Sequence, residues 1–301
     1  MNFCTIVTQS HLPFAKVILD SLNKLNPEAC LHVLVVDNSD NVHFEGESRI
    51  ILYSTGQLQG FSGTGDSILR KYSKSESHDL LRWSLKPIYI QYLLSKCRFD
   101  KVIFTDPDTY YFSDFTFLFD LLNDHKVLLT PHWMGSNPEV DKIKFNFQFK
   151  HGLYNAGFIG VNYNALEIME WWAELCLYKC EINNESGFYV DQTYLNLMPL
   201  YFADVHILKH KGCNIANWNL HECTRTTRED NALIDDQWEI VFIHFTRVTI
   251  EGIVQEQDPA LKPYLNTYIE NLNRNGVHLD LRDYEYKNPS IWKKLKHFLF
   301  G

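Results

Sequence analysis

Apolar positions along this chain alternate between unbroken runs and helical spacing. Phe3-Cys4-Thr5-Ile6-Val7 is a short, largely apolar run that predicts a buried strand, closed by the polar residues Thr8-Gln9-Ser10-His11. Phe14, Val17, Ile18, Leu22 and Leu25 then recur at the spacing of a helix with one inward face. Leu31 to Val36 is continuous and β-branched, a second strand ending at Asp37-Asn38, and Arg49 to Tyr53 reads as a short third strand. Uninterrupted apolar strands separated by a helix form a βαβ unit, so a mostly parallel sheet covered on both faces is expected.

The pattern continues through a helical stretch, Leu80 to Cys97, in which Pro87 is expected to open a helix at its first turn. Arg82 and Lys86 would lie just before it, as a solvated face or as a holder of phosphates. Lys101 to Thr105 is a strand, Phe115 to Leu122 a helix capped by Ser113 or Asp114, and Val127 to Leu129 another strand. Trp133 to Phe149 reads as polar and irregular. Leu153 to Asn162 is strand-like but rich in small residues, which implies backbone brought close to a ligand or to another strand. A Trp-rich helix (Ala165 to Cys180) and a late strand (Ile240 to Phe245) follow. Gly60 to Gly65 lacks the Gly-Lys-Ser/Thr ending of a phosphate loop, and a flexible or sharply turned loop is expected there. Neither an internal repeat nor a low-complexity linker interrupts the chain. The simplest division is one α/β domain over 1–250 and a C-terminal extension over 251–301.

Composition narrows this little, and charge narrows it more. A formal net charge of −9 lacks the basic footprint of a nucleic-acid binder. Seven cysteines scattered along 301 residues do not form a disulfide framework, and Cys176, Cys180, Cys213, His221 and Cys223 match no compact zinc spacing. Met1 runs directly into a strand, with no signal-like segment and no apolar run of spanning length, so a cytoplasmic, reducing compartment is expected.

The candidate chemistry is concentrated in Asp106-Pro107-Asp108, which closes the strand from Lys101. Unpaired carboxylates at a buried strand end are costly, and Pro107 stiffens the pair. The tripeptide reads equally as a strand-ending turn or as two hard oxygen ligands for Mg2+ or Mn2+.

In order along the chain, Thr8-Gln9-Ser10, Asp37-Asn38, Asp106-Pro107-Asp108, Asn155-Ala156-Gly157, Asp191-Gln192 and His244 resemble the landmarks of a nucleotide-diphospho-sugar glycosyltransferase. The resemblance covers Phe3 to about Phe245 and is to the family 8, galactosyltransferase-like group. It implies a GT-A, Rossmann-like α/β fold with a mixed, mostly parallel central sheet flanked by helices and a C-terminal helical extension. The implied reaction is transfer of a sugar from a UDP-sugar to a glycan acceptor, with retention of configuration; a lipid-linked glycan of lipopolysaccharide or capsule biosynthesis is the acceptor expected if the basic tail lies on a membrane. Asp106, Asp108 and His244 would hold Mn2+ or Mg2+, with Asp106 also touching ribose. Thr8 and Asp37 would flank the base, and Arg82 or Lys86 would meet the diphosphate. Asn155, Ala156, Gly157, Asp191 and Gln192 would surround the donor sugar, with Gln192 near the anomeric carbon. The plain reading of Asp191-Gln192 is a helix N-cap.

One departure from the family concerns phosphate binding. Its metal histidine is usually followed by Gly and then Lys-Pro-Trp, whereas His244 precedes Phe245-Thr246-Arg247, and Lys262-Pro263-Tyr264 comes later. The phosphate role would fall to Arg247 or to Lys262. In the tail, Ile291, Trp292, Leu295, Phe298 and Leu299 share a helical face opposite Lys293, Lys294 and Lys296. Residues 287–301 would lie on an anionic membrane surface, the inner face for a cytoplasmic protein, or dock on the domain. Two other readings stand beside the transferase. One is a phosphatase of the haloacid-dehalogenase type using Asp106 and Asp108; the other is a non-catalytic sugar-binding protein.

Overall fold

The computed structural model describes residues 1–37, 48–75, 78–228 and 231–285. The first strand, β1 (Asn2–Val7), is buried from Phe3 onward and leads through a short 3-10 turn into α1 (Leu12–Leu25). Val17, Ile18 and Leu22 on one face of that helix are fully buried, as their spacing predicted. Then come β2 (Cys30–Val35) and β3 (Ile50–Ser54), each parallel to its predecessor. Asn38 and residues 287–301 lie outside the described residues.

One sequence expectation gives way in part in the next segment and another entirely. Of the glycine-rich stretch 60–65, Gly60 turns the chain at φ +71° as expected, whereas Gly63 to Gly65 open α3 (Gly63–Tyr72), which follows α2 (Thr55–Leu58). Ser62 caps α3 by accepting from Gly65 N at 2.9 Å, and a Cβ on Gly65 would stand 3.1 Å from Ile88. Gly65 thus serves close helix packing rather than loop freedom. The following helix, α4 (Asp79–Ser95), does not begin at Pro87 but runs through it. A proline inside a helix costs about 3 kcal/mol. Tertiary burial offsets that cost, because Leu81, Leu85, Ile88, Leu93 and Leu94 are all in the core on both sides of the proline.

β4 (Lys101–Thr105) and β5 (Thr109–Tyr111) flank the Asp-Pro-Asp, followed by α5 (Thr116–Asp124) and β6 (Val127–Pro131). α6 (Lys142–His151), capped by Asp141, occupies the segment read as irregular. β7 (Tyr154–Asn162) is buried along its whole length, and α7 (Leu166–Tyr178) covers one face of the sheet. A small hairpin, β8 (Ile182–Asn183) with β9 (Phe188–Tyr189), precedes α8 (Met198–Tyr201) and β10 (Val205–Ile207). The late segment contains β11 (Arg225–Arg228), β12 (Asn231–Ile234) and β13 (Trp238–Glu239) in one antiparallel sheet. After them come β14 (Phe242–His244), α9 (Arg247–Val254) and α10 (Lys262–Arg274).

The central sheet has seven strands in the order β10-β6-β7-β4-β1-β2-β3, with only β7 antiparallel to its neighbours. This is the mixed, mostly parallel α/β architecture expected. Residues beyond 250 pack against α1 and β5: Leu265, Tyr268 and Leu272 share a core with Val17 and Tyr110, and Asn271 Nδ2 donates to Tyr110 Oη. All seven cysteines are free thiols. Cys176 and Cys180 lie in a different core cluster from Cys213 and Cys223, so the residues weighed for zinc do not converge.

Candidate active site

Parallel strands β1, β2 and β4 end at the same edge of the sheet, where ligands of open α/β folds bind. Thr8, Asp37 and Asp106 all lie there, each just beyond its strand. Asp37 Oδ1 accepts from Gln9 N at 2.8 Å, tying the end of β2 to the end of β1, while Thr8 Oγ1 is 2.8 Å from His11 Nδ1. Asp37 is exposed and Thr8 half-buried.

At Asp106 the chain leaves the strand and turns, with Thr109 N donating to Asp106 O at 3.1 Å. The turn presents both carboxylates on the same side of the chain end. β5 then pairs with β14 so that His244 lies opposite Thr109, and Phe245 N donates to Asp108 O at 2.7 Å. That short antiparallel pairing carries a residue 136 positions away to the carboxylates. His244 Nε2 is 3.0 Å from Asp108 Oδ1 and 3.8 Å from Asp106 Oδ2.

Ligand atoms of Asp106, Asp108 and His244 lie within 4.8 Å of one another. Two carboxylates and an imidazole suit Mn2+ or Mg2+. The backbone also keeps the space in front of them clear. A Cβ on Gly157 would stand 2.5 Å from His244 Cε1 and 2.8 Å from Asp106 Oδ2. The residues therefore fit a divalent cation. Desolvation disfavours the imidazolium of His244, but the charges of Asp108 and Asp106 outweigh it and raise its pKa. For Asp108, desolvation pushes up and His244 pulls down more strongly, leaving the carboxyl below its ordinary range.

Beneath the cluster lies a second layer. Lys86 Nζ is buried, 3.1 Å from Asp191 Oδ2, 3.5 Å from Asp106 Oδ1, and donates to Ala156 O at 3.0 Å. Burial alone would lower the pKa of Lys86, but Asp106 and Asp191 raise it, so the ammonium stays charged. Burial pushes Asp191 up to about 6 against the pull of Lys86. Asp191 does not cap the following 3-10 turn, whose N-cap position is Gln192. Gln192 Oε1 instead accepts from Ala156 N at 2.9 Å, and its Nε2 donates to His151 O at 2.8 Å. Asn155 Oδ1 accepts from Gly157 N at 2.9 Å.

Of the two candidates for phosphate contact on α4, Lys86 is committed to these interior oxygens. Arg82 pairs with Asp79, and its Nε is buried without a hydrogen-bond partner. Arg247 is held by Glu251 at 2.8 Å and by the carbonyl of Asp283 at 2.9 Å, with Tyr284 under its guanidinium. Lys262 pairs with Glu256 at 2.9 Å. Arg247 and Lys262 thus make their contacts in the C-terminal segment, not with the cluster.

Two residues at the site carried no role in the sequence reading. His132, 3% exposed, meets Asn155. The Trp218 ring stands edge-on to His132 at 5.7 Å and to His244 at 5.4 Å between centroids. His132 falls between the strand expected at Val127 to Leu129 and the irregular stretch from Trp133, and neither it nor Trp218 has a local pattern that announces a site.

No protein-family model matches the chain. It is 24% identical over 294 residues to the uncharacterized protein YfnF of Bacillus subtilis (strain 168), covering 94% of this chain and 95% of that one. It is 26% identical over 293 residues to YfnD of the same organism, covering 91% and 89%. Among solved structures it is similar to the galactosyltransferase LgtC in complex with donor and acceptor sugar analogs. That match has a TM-score of 0.55 at 13% identity and covers 91% of this chain and 96% of that one. An active-site mutant of LgtC gives a TM-score of 0.52 at 16% identity, covering 81% and 87%. The fold is that of a GT-A glycosyltransferase.

Proposed function

We propose that the protein is a metal-dependent glycosyltransferase that moves a sugar from a nucleotide diphosphate donor, a UDP-sugar, to a glycan or lipid-linked glycan acceptor. The observation that carries this reading is the convergence of Asp106, Asp108 and His244 in front of Gly157, at the edge where β1, β2 and β4 end. A divalent cation there supplies Lewis-acid stabilisation of a departing diphosphate. Thr8 and Asp37 stand at the same edge, where a base would lie. Asp106 is shared between the rim and the Lys86 ion pair, which fixes its carboxylate before any donor arrives. Gln192 and Asn155 would stand beside the donor sugar, and retention of configuration is carried over from the family resemblance.

Among the described residues no helix is long and apolar enough to cross a membrane. Lipopolysaccharide or capsule glycans, met at the inner membrane face through residues 287–301, remain part of the proposal. The test is UDP release from a panel of UDP-sugars with Mn2+, with Mg2+ and with chelator, in the wild type and in Asp108→Ala. Cation-dependent release that the substitution abolishes supports the reading. Phosphatase activity without sugar-nucleotide turnover would overturn it.

A further inference from the structure

Asn155 has two faces to satisfy, and its amide can serve them in only one orientation. Its Oδ1 accepts from Gly157 N, so its Nδ2 must point the other way, where His132 Nε2 waits at 3.1 Å. That nitrogen is an acceptor because the opposite one, Nδ1, lies 2.9 Å from Gly152 O, which can only accept. The imidazole therefore carries its proton on Nδ1 and a lone pair on Nε2. A flipped amide would set NH2 against Gly157 N and a carbonyl oxygen against the imidazole lone pair. Gln192 Oε1, at 3.4 Å, is a distant second acceptor already engaged by Ala156 N. Burial holds His132 at about 3, so the lone pair persists through the working pH range.

We propose that His132 is a positioning residue, holding the Asn155 amide in the one orientation in which it can meet the donor sugar. This rests on the transferase reading for the identity of the ligand, but not for the contact itself. His132 touches Gly152, Asn155 and the Trp218 ring, so it acts through Asn155.

Two amide substitutions separate this role from a merely structural one. His132→Asn places a donor near Nδ1 and keeps the tie to Gly152 but withdraws the acceptor from Asn155. His132→Gln reaches to the place of Nε2 and restores that acceptor. For His132→Asn, kcat/KM for the UDP-sugar should fall about tenfold to hundredfold while UDP inhibition is unchanged. His132→Gln should recover to within about threefold. On an Asn155→Ala background, His132→Asn should cost nothing more. Independently of turnover, hydrogen exchange of the Asn155 side-chain amide in 15N-labelled protein should accelerate in His132→Asn and not in His132→Gln. Unchanged exchange in His132→Asn overturns the proposal, as do equal losses in both variants or a loss that persists without Asn155. If the wild type turns over no sugar nucleotide, the transferase reading fails alone, and the exchange comparison still decides His132.

Discussion

At the rim, Asp106 and Asp108 are 25% and 35% exposed, and His244 Nδ1 has no hydrogen-bond partner. One layer below, the side chains of Lys86 and Asp191 are 4% and 1% exposed, and Gln192, Asn155 and His132 exchange hydrogen bonds among themselves and with β7. The rim has more negative charge than it can neutralise from within, whereas among the lower-layer side chains only Asp191 Oδ2 lacks a hydrogen bond, and Lys86 Nζ stands 3.1 Å from it. Unneutralised carboxylates invite a cation, and a well-paired network resists rearrangement. The site thus separates the part that must accept something from the part that must hold still, and Asp106 belongs to both.

The most direct way to break that contrast is to disable the rim and leave the lower layer intact. Asp108→Ala should reduce cation-dependent UDP release about a thousandfold, the size of a lost Lewis-acid contribution of several kcal/mol. Added Mn2+ should raise the melting temperature of the wild type and not of the variant, because only a folded site binds it. A variant that keeps its melting shift would remove Asp108 from the ligand set.

The reverse experiment attacks the lower layer. Lys86→Met leaves Asp191 buried without its cation, and breaking one side of a buried pair costs about 3–5 kcal/mol. Urea unfolding should show that loss, partly restored in Lys86→Met/Asp191→Asn. A loss below about 1 kcal/mol would mean that the layer is not held by this pair.

How far the sequence carried this site depends on whether partners are local. Asp106-Pro107-Asp108 was legible as either a turn or a ligand pair; the structure shows the turn and, with its hydrogen bond closed behind the carboxylates, leaves both of them facing His244, which is compatible with the second reading. β1, α1 and β2 were legible from period alone. Pro87 misled because tertiary burial on both sides of it overrides a local breaker, and Gly65 misled because its reason is Ile88 rather than its own loop. Lys86, expected to meet phosphate, is instead buried against Asp106, Asp191 and the carbonyl of Ala156. Its partners Asp191 and Ala156 are 105 and 70 residues away, a separation that no window detects.

pH tests the lower layer more gently. The folded-state pKa of Asp191, about 6, lies above its ordinary value, so the folded state binds this proton more tightly. Its contribution to stability is full below about 4 and is lost as pH rises through about 6. His32 and His151, lowered to about 4 by burial, work in the opposite sense over the same range. The wild type alone therefore shows no clean limb. Wild type minus Asp191→Asn should: the difference in unfolding free energy should decline from pH 4 to pH 6 and then level off. A difference that rises with pH would put the pKa of Asp191 below its ordinary value and make Lys86 the dominant influence.

The smallest effect is expected at Arg247, and it bears on the boundary of the rim. Arg247 is 62% exposed on its side chain and already shared among Glu251, the Asp283 carbonyl and the Tyr284 ring. Exposed pairs of this kind are worth about 0–1 kcal/mol, so Arg247→Ala should hardly move the melting curve. If its contacts in the C-terminal segment are its whole role, KM for the donor and inhibition by UDP should also stay within about twofold. A tenfold rise in KM with kcat preserved would say that the guanidinium leaves Glu251 to meet the diphosphate. The rim would then extend to the C-terminal helices, and the cation cluster would no longer be the only neutraliser of the leaving group. The comparison with Lys262→Ala, whose ammonium is paired with Glu256, would show which of the two supplies the charge.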